Sequence, residues 1–289
     1  MSEIGLIPIS SARRRKDRVM RGLLIAGTVI ALIPLVLIVY YLLLKGLPSW
    51  TGSFFTSDPT GSFFGPPGGV RSAIFGTLEI VALASLISIP IGIGVALYLT
   101  EYGKESAFAN VVRYFVDVMT GVPSIVFGLF IYIVLVLSGL GGAFTAWKGS
   151  VAISLLMLPI VVRSAEVVLL LVPGALREAA LALGAPRWRV VTRVVLPTAL
   201  PGLITGSLLS VARGMGETAP LLFTVATASG LTGNLGSQMN TLPTQIFQDI
   251  TSPRNAIVSR AWGAALTLVV LVLILNLTAR AIARRSRIA

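Results

Sequence analysis

A chain of 289 residues that is 55% hydrophobic and 12% charged, with 23 Lys and Arg against 11 Asp and Glu, a net charge of +12 and neither Cys nor His, is far more apolar than a soluble domain. The length suffices for roughly six membrane-spanning helices of about 20 residues each and leaves no room for a separate soluble domain. The missing residue types exclude disulfides, thiol nucleophiles, imidazole bases and the usual zinc sites, and basic residues gathered at the ends of apolar runs speak for membrane topology and against nucleic acid.

Residues 1–21 form a basic tail with Arg13, Arg14, Arg15, Lys16, Arg18 and Arg21. The apolar run 22–44 is the first span; it outlasts a signal-peptide core, no small-residue cleavage pattern follows, and it is expected to be retained, with a kink at Pro34. Residues 45–71 are dense in turn formers and aromatics (Phe54, Phe55, Phe63, Phe64, Pro66, Pro67, Gly68, Gly69) and read as an external loop with an interfacial aromatic belt. A core at 72–281 supplies five more spans, at about 72–99, 109–138, 149–173, 198–226 and 256–281, before a basic tail at 282–289. The predicted class is an all-α integral membrane protein with six transmembrane helices.

With the N-terminus inside, sixteen basic residues fall on the cytoplasmic side: the six of the tail, Lys104, Arg113, Arg177, Arg187, Arg189, Arg193, Arg280, Arg284, Arg285 and Arg287. Five fall outside, namely Lys45, Arg71, Lys148, Arg254 and Arg260. That asymmetry predicts both termini in the cytoplasm. In the third span, Pro123 leaves a carbonyl unpaired beside the Ser124 hydroxyl, which reads either as a hinge or site wall or as a tolerated kink. Glu79 and Asp117 lie toward the ends of their spans, within reach of interfacial water, and receive no role.

Arg163 and Arg213 fall near the middle of spans, where an arginine costs about 2.5–3.5 kcal/mol on insertion scales. Glu166 follows Arg163 by three residues and Glu217 follows Arg213 by four, spacings at which side chains on one helix meet. Gly202, Gly206, Ser210 and Gly214 recur every four residues in the fifth span, a stripe for close helix contact, and Arg213 and Glu217 lie within its arc. Counting along the two spans places Arg163 and Arg213 at nearly one depth. Two guanidiniums there would bind a tetrahedral oxyanion through their planar forks, with Glu166 and Glu217 as substitute counter-ions when no anion is present; the other reading of the two pairs is internal charge neutralisation within the bundle.

Between the fourth and fifth spans, residues 174–197 carry Glu178-Ala179-Ala180, three residues, Gly184, nine residues, Val194, one residue, and Leu196-Pro197. The pattern resembles the EAA signature of type I ABC importer permeases, with Val194 in place of that signature's isoleucine. The resemblance implies a MetI-like fold and two short helices in this loop, the first from about Pro173 to Leu183 and ended by Gly184. Ala179 and Ala180 would present a flat face to a separate ATPase subunit. Gly184 suits a helix C-terminal cap, and Arg177, Arg187, Arg189 and Arg193 keep the loop on the cytoplasmic side.

Within those permeases, Ala212-Arg213-Gly214-Met215-Gly216-Glu217-Thr218-Ala219-Pro220 is similar to the Gly-Glu-Thr signature of phosphate permeases, and Gly121-Val122-Pro123-Ser124-Ile125-Val126-Phe127-Gly128 to their third-span motif. The match extends over most of residues 70–281, most nearly in the PstA-type subunits. It implies phosphate import across a bacterial inner membrane by alternating access, with Arg163, Glu166, Arg213, Glu217, Thr218 and Ser124 on the pathway and Glu178, Ala179, Ala180, Gly184, Leu196 and Pro197 coupling to the ATPase. The implied partners are a second, PstC-like permease in a heterodimer, two copies of a PstB-like ATP-binding subunit and an external PstS-like phosphate-binding protein received by 45–71 and 227–255. No G-x-x-x-x-G-K-[ST] phosphate loop occurs in the chain, so ATP and magnesium belong to the partner ATPase, and no cofactor, metal or catalytic residue is expected here. The alternatives are a permease for sulfate, molybdate or tungstate, or a non-transporting membrane scaffold or sensor; a membrane hydrolase fits least.

Overall fold

The computed structural model describes residues 11–60, 65–228 and 230–285. Phe63, Phe64, the first ten residues and the end of the basic C-terminal tail, including Arg287, lie outside them. Among the described residues five helices are long and apolar enough to cross a membrane, and a sharply bent pair makes a sixth crossing unit. The elements are α1 (Ser11–Gly46), α2 (Gly52–Thr56), α3 (Arg71–Leu97), α4 (Ala107–Gly121), α5 (Ser124–Ile131), α6 (Ala146–Leu170), α7 (Gly174–Ala182), α8 (Arg187–Val190), α9 (Leu196–Met215), α10 (Ala219–Thr224), α11 (Leu242–Ile250) and α12 (Asn255–Arg285).

Helix α6 is the centre of the bundle, and what surrounds it is chosen by small residues. On α3 the row Gly76, Ile80, Ala84, Ser88, Gly92, Ala96 is buried along one face. A Cβ on Gly92 would stand 2.6 Å from Val161, and Ser88 reaches Met157, so α3 and α6 run parallel in constant register. On α9 the predicted stripe packs antiparallel against α6: Gly202 faces Val168, Gly206 faces Ser164 and Gly214 faces Met157 and Ile153. Ser210 between them is wholly buried. A Gly206→Val side chain would start 2.6 Å from Ser164 Oγ, so we expect this substitution to cost about 2 kcal/mol by overpacking, measured as a lowered melting temperature of the purified protein.

Because α3 and α6 are parallel, the chain between them returns once to its starting side, which the bent pair α4–α5 does. The expected third span is therefore not one rod. Its two halves meet at 103° across Val122 and Pro123, because the proline ring rejects a helical residue before it and has no amide to give. The expected fifth span is also broken. Helix α9 ends at Met215, since Pro220 cannot donate to the carbonyl of Gly216, and the chain restarts as α10. Pro34 is accommodated within α1, whose apolar window is exposed along its length and which joins the bundle at its base, where Gly46 abuts Leu266 and the Trp262 carbonyl of α12. Helices α1 and α12 are antiparallel there, so the described ends of the chain lie on the same side.

The end of the bundle that carries residues 58–71 and α11, called the cap, is stapled by side chains. Arg260 forks onto Asp249 with two bonds of 2.7 Å, both residues buried, and also donates to the Pro67 carbonyl. Arg71 forks onto Asp58 at 3.1 and 2.6 Å. That hydrogen bond holds the Asp58 carboxyl below the usual carboxylate range, against a smaller opposing effect of burial, so this staple persists above the range and is lost as pH falls through the lowered value. The expected aromatic belt is altered: Phe54 is a core residue packed on Val70, Ala73, Leu242 and Ala264. Lys148 is no exposed loop charge either. It is wholly buried, its Nζ donating to the carbonyls of Leu135 at 2.9 Å, Ala143 at 3.1 Å and Gly142.

Candidate functional site

Arg163 and Glu166 sit on α6 and meet as their spacing predicts, Nη1 to Oε2 at 2.8 Å. The pair is not isolated. The other oxygen of Glu166, a residue with 8% of its side chain exposed, accepts from Arg113 Nε at 2.8 Å, and Arg163 Nη2 pairs with Asp117; both new partners come from α4. Arg163 also donates to the Arg113 carbonyl at 3.4 Å. Two arginines thus clamp one buried carboxylate, and a second carboxylate balances them, which is how a charged cluster survives inside an apolar bundle. Arg113 and Asp117 are the functional candidates the sequence reading passed over. Their spacing of four residues on one helix is the same signal that singled out Arg213 and Glu217.

Arg213 lies near the end of α9 and Glu217 just beyond it, past the break at Gly216. Their ion pair is loose, 3.7 Å from Nε to Oε1, and the Arg213 side chain is 61% exposed while that of Glu217 is mostly covered. The expectation of one depth for the two arginines fails. The glycine register sets Gly206 against Ser164 and Gly214 against Met157, so Arg213 stands about six residues, or roughly 9 Å, further along the bundle than Arg163. The arrangement is two separate charged pairs along the bundle, one tightly held and one open.

Thr218 precedes α10 and gives its carbonyl to Leu222. Ser124 opens α5 immediately after the bend, half-buried. The two sequence signatures meet here: a Cβ on Gly128 of α5 would lie 2.7 Å from Pro220 of α10, so only glycine lets the backbones approach so closely. Ser124 and Thr218 therefore stand at the starts of two packed short helices beside the α9 break.

The loop 174–197 lies at the opposite end of α6 from Lys148. Helix α7 ends in a Schellman arrangement, with Gly184 at φ +79°, its amide on Leu181 and the Ala185 amide on Ala180. Glu178 and Ala179 are exposed, whereas Ala180 is half-buried and packs inward on the cluster of Leu169, Val172, Val190 and Val195. Ala179 shares one exposed side of α7 with Leu176, Leu183 beyond the helix end is 89% exposed, and much of Trp188 is exposed as well. The second expected short helix is not separate. Helix α8 runs through a π turn, Val191–Val195, into α9, and that widening gives Pro197 room over the Arg193 carbonyl. Leu196 and Val194 pack inward, and Pro197 is exposed. Arg177 anchors α7: it donates to Glu101 Oε1 at 3.1 and 2.8 Å and to the carbonyls of Val172 and Leu169 at 2.6 and 2.9 Å.

The sequence model of the family described as "Binding-protein-dependent transport system inner membrane component" matches residues 88–288. The chain is 42% identical over 279 residues to the phosphate transport system permease protein PstA of Mycobacterium leprae, covering 94% of this chain and 90% of that protein. It is 39% identical over 269 residues to the PstA of Haemophilus influenzae, covering 93% and 94%. Among solved structures, a chain of a bacterial alginate ABC transporter in complex with an alginate pentasaccharide-bound periplasmic protein superposes with a TM-score of 0.67 at 18% identity, over 94% of this chain and 96% of that one. A chain of the MetNI methionine ABC transporter in an inward facing conformation gives 0.61 at 21%, over 75% and 95%. At such identities these structures speak for the fold alone.

Proposed function

The chain belongs to the family of binding-protein-dependent transport system inner membrane components, and we infer that it is the PstA-type permease subunit of an ATP-driven importer of inorganic phosphate. The observation that carries this reading is about 40% identity to phosphate permeases across nearly the whole chain.

Phosphate crosses by alternating access. We assign it a path past Arg213 and Glu217, where the exposed guanidinium and its loosely held carboxylate leave donors to be claimed, with Thr218 and Ser124 lining the step between α9, α10 and α5. The paired station at Arg163 and Glu166 follows, nearer the docking loop. At each station the carboxylate releases its arginine to the anion and takes it back when the anion moves on. The basic bias of the loops supports both termini and residues 174–197 in the cytoplasm, and the likeness to bacterial phosphate permeases supports a bacterial inner membrane.

The exposure of Leu176, Ala179, Leu183 and Trp188 on this loop supports docking of an ATPase subunit on α7 and α8. ATP and magnesium are held there, on two copies of that subunit, and no bond is made or broken by this chain. A PstC-like second permease completes the pore, and a PstS-like binding protein delivers phosphate to the outer cap.

Uptake of labelled phosphate into vesicles bearing the full complex, with sulfate or molybdate in excess, tests the reading. We expect ATP-dependent phosphate uptake that neither competitor blocks. Block by either would reassign the substrate to that oxyanion, and hydrolysis without uptake of any oxyanion would make the chain a scaffold.

A further inference from the structure

Arg113 lies between the docking loop and the pathway and belongs to neither. Four of its five N–H donors are engaged: Nε donates to Glu166 at 2.8 Å, Nη2 to the Leu99 carbonyl at 2.9 Å, and Nη1 to the Lys104 carbonyl and Asn110 Oδ1, both at 3.3 Å. Leu99 belongs to the π turn Tyr98–Tyr102 that ends α3, and the same turn carries Glu101, the acceptor of Arg177 on the docking helix. An unbroken succession of contacts therefore leads from Arg177 through Glu101 and the 98–102 turn to Arg113, Glu166, Arg163 and Asp117.

We propose that Arg113 is a positioning residue that ties movement of the docking helix to the hold of Glu166 on Arg163. The proposal rests on the phosphate-permease reading. Four of the five Arg113 donors are held by protein acceptors on two sides, and the residue acts through these anchors. A π turn is a wider helical turn, closed by i→i+5 bonds, and such turns are found frequently at functional sites. Movement of α7 pulls on Glu101 and thereby on the turn. The Leu99 carbonyl then shifts against a rigid planar fork whose other edge is fixed on Glu166. The guanidinium cannot follow one anchor without loosening the other, so the buried carboxylate exchanges between being shared by two arginines and serving Arg163 alone. That is the discrete alternative a coupling claim requires.

The test uses the complete complex in vesicles, with ATP hydrolysis and uptake of labelled inorganic phosphate measured on the same preparation for the native chain, Arg113→Gln, Arg113→Lys and Glu101→Gln. We expect Arg113→Gln and Glu101→Gln to retain hydrolysis within about twofold while phosphate moved per ATP falls about tenfold, and Arg113→Lys, whose single ammonium serves one anchor at a time, to fall between. An unchanged ratio overturns the proposal, as does a proportional fall in hydrolysis and uptake, which is what a residue that only holds the fold would give.

A second readout is independent of the substrate. The chain lacks cysteine, so spin labels at Leu86→Cys and Tyr114→Cys, both exposed positions, report the separation of α3 and α4. We expect nucleotide to change that distance in the native chain, by a smaller amount in Arg113→Lys and not in Arg113→Gln; a native-sized change that persists in Arg113→Gln overturns the coupling role. Failure of the native complex to accumulate phosphate, with the distance change still dependent on Arg113, would instead overturn the substrate reading and leave the coupling in place.

Discussion

Replacing Arg213 by glutamine is expected to lower ATP-driven phosphate uptake about a hundredfold, since two charge-assisted hydrogen bonds at a partly hydrated site are together worth about 3 kcal/mol and 1.4 kcal/mol is a factor of ten. The side chain makes one loose contact, 3.7 Å to Glu217, and is 61% exposed, so the fold does not depend on it. The complex should therefore assemble, and hydrolysis should continue, because the residue lies far along the bundle from the docking loop. Measured uptake within about twofold of the native complex would remove Arg213 from the pathway, because a guanidinium in contact with a dianion is worth more than that.

Glu166→Gln acts by another route and should strike stability first. Glutamine at this position leaves Arg113 and Arg163 without their shared carboxylate, and the loss of one partner from a buried pair costs about 3–5 kcal/mol. Arg113 and Arg163 keep some contact with solvent, and Asp117 still balances Arg163, so we place the cost near 3 kcal/mol, equivalent to a fall of roughly 6–10 °C in apparent melting temperature. Adding Arg113→Gln should restore part of the loss by removing the stranded charge. A melting temperature that does not move would show that Glu166 is not the counter-ion of this cluster. The two substitutions thus separate the stations: one is read in transport and the other in the melt.

The spans were legible because a bilayer demands about 20 apolar residues with satisfied backbone, and residues 72–99, 149–173 and 256–281 each contain one such helix. The stripe at Gly202, Gly206, Ser210 and Gly214 was legible for a similar reason: small residues at a spacing of four have one main use in a membrane helix. The equal row on α3 from Gly76 to Ala96 carries the same signal but is masked by Ile80 and by the general apolarity around it. The breaks at Pro123 and Gly216 were half legible. A proline announces a fault in a helix, but the 103° turn is set by how α5 packs on α10.

The paired cluster was the least legible part, because spacing rules see one helix at a time. Arg163 with Glu166 could be read from three residues of separation, whereas Arg113 with Glu166, Arg163 with Asp117 and Arg177 with Glu101 each join different helices. The depth of Arg163 relative to Arg213 was likewise a question of register. It is settled by which glycine meets which side chain, a fact that counting residues from the loops does not contain.

The four charges of that cluster also bear on how the chain enters the membrane. Arg113 and Asp117 are synthesised on α4 well before Arg163 and Glu166 arrive on α6, and an arginine alone at bilayer depth costs about 2.5–3.5 kcal/mol. Helix α4, with Phe108 and Phe115 on one face and Arg113 and Asp117 on the other, is suited to wait at the lipid surface until α6 is delivered. The bundle is then completed by partners that cross together, and the neutrality that lets the finished site persist in lipid is also the condition for its biogenesis.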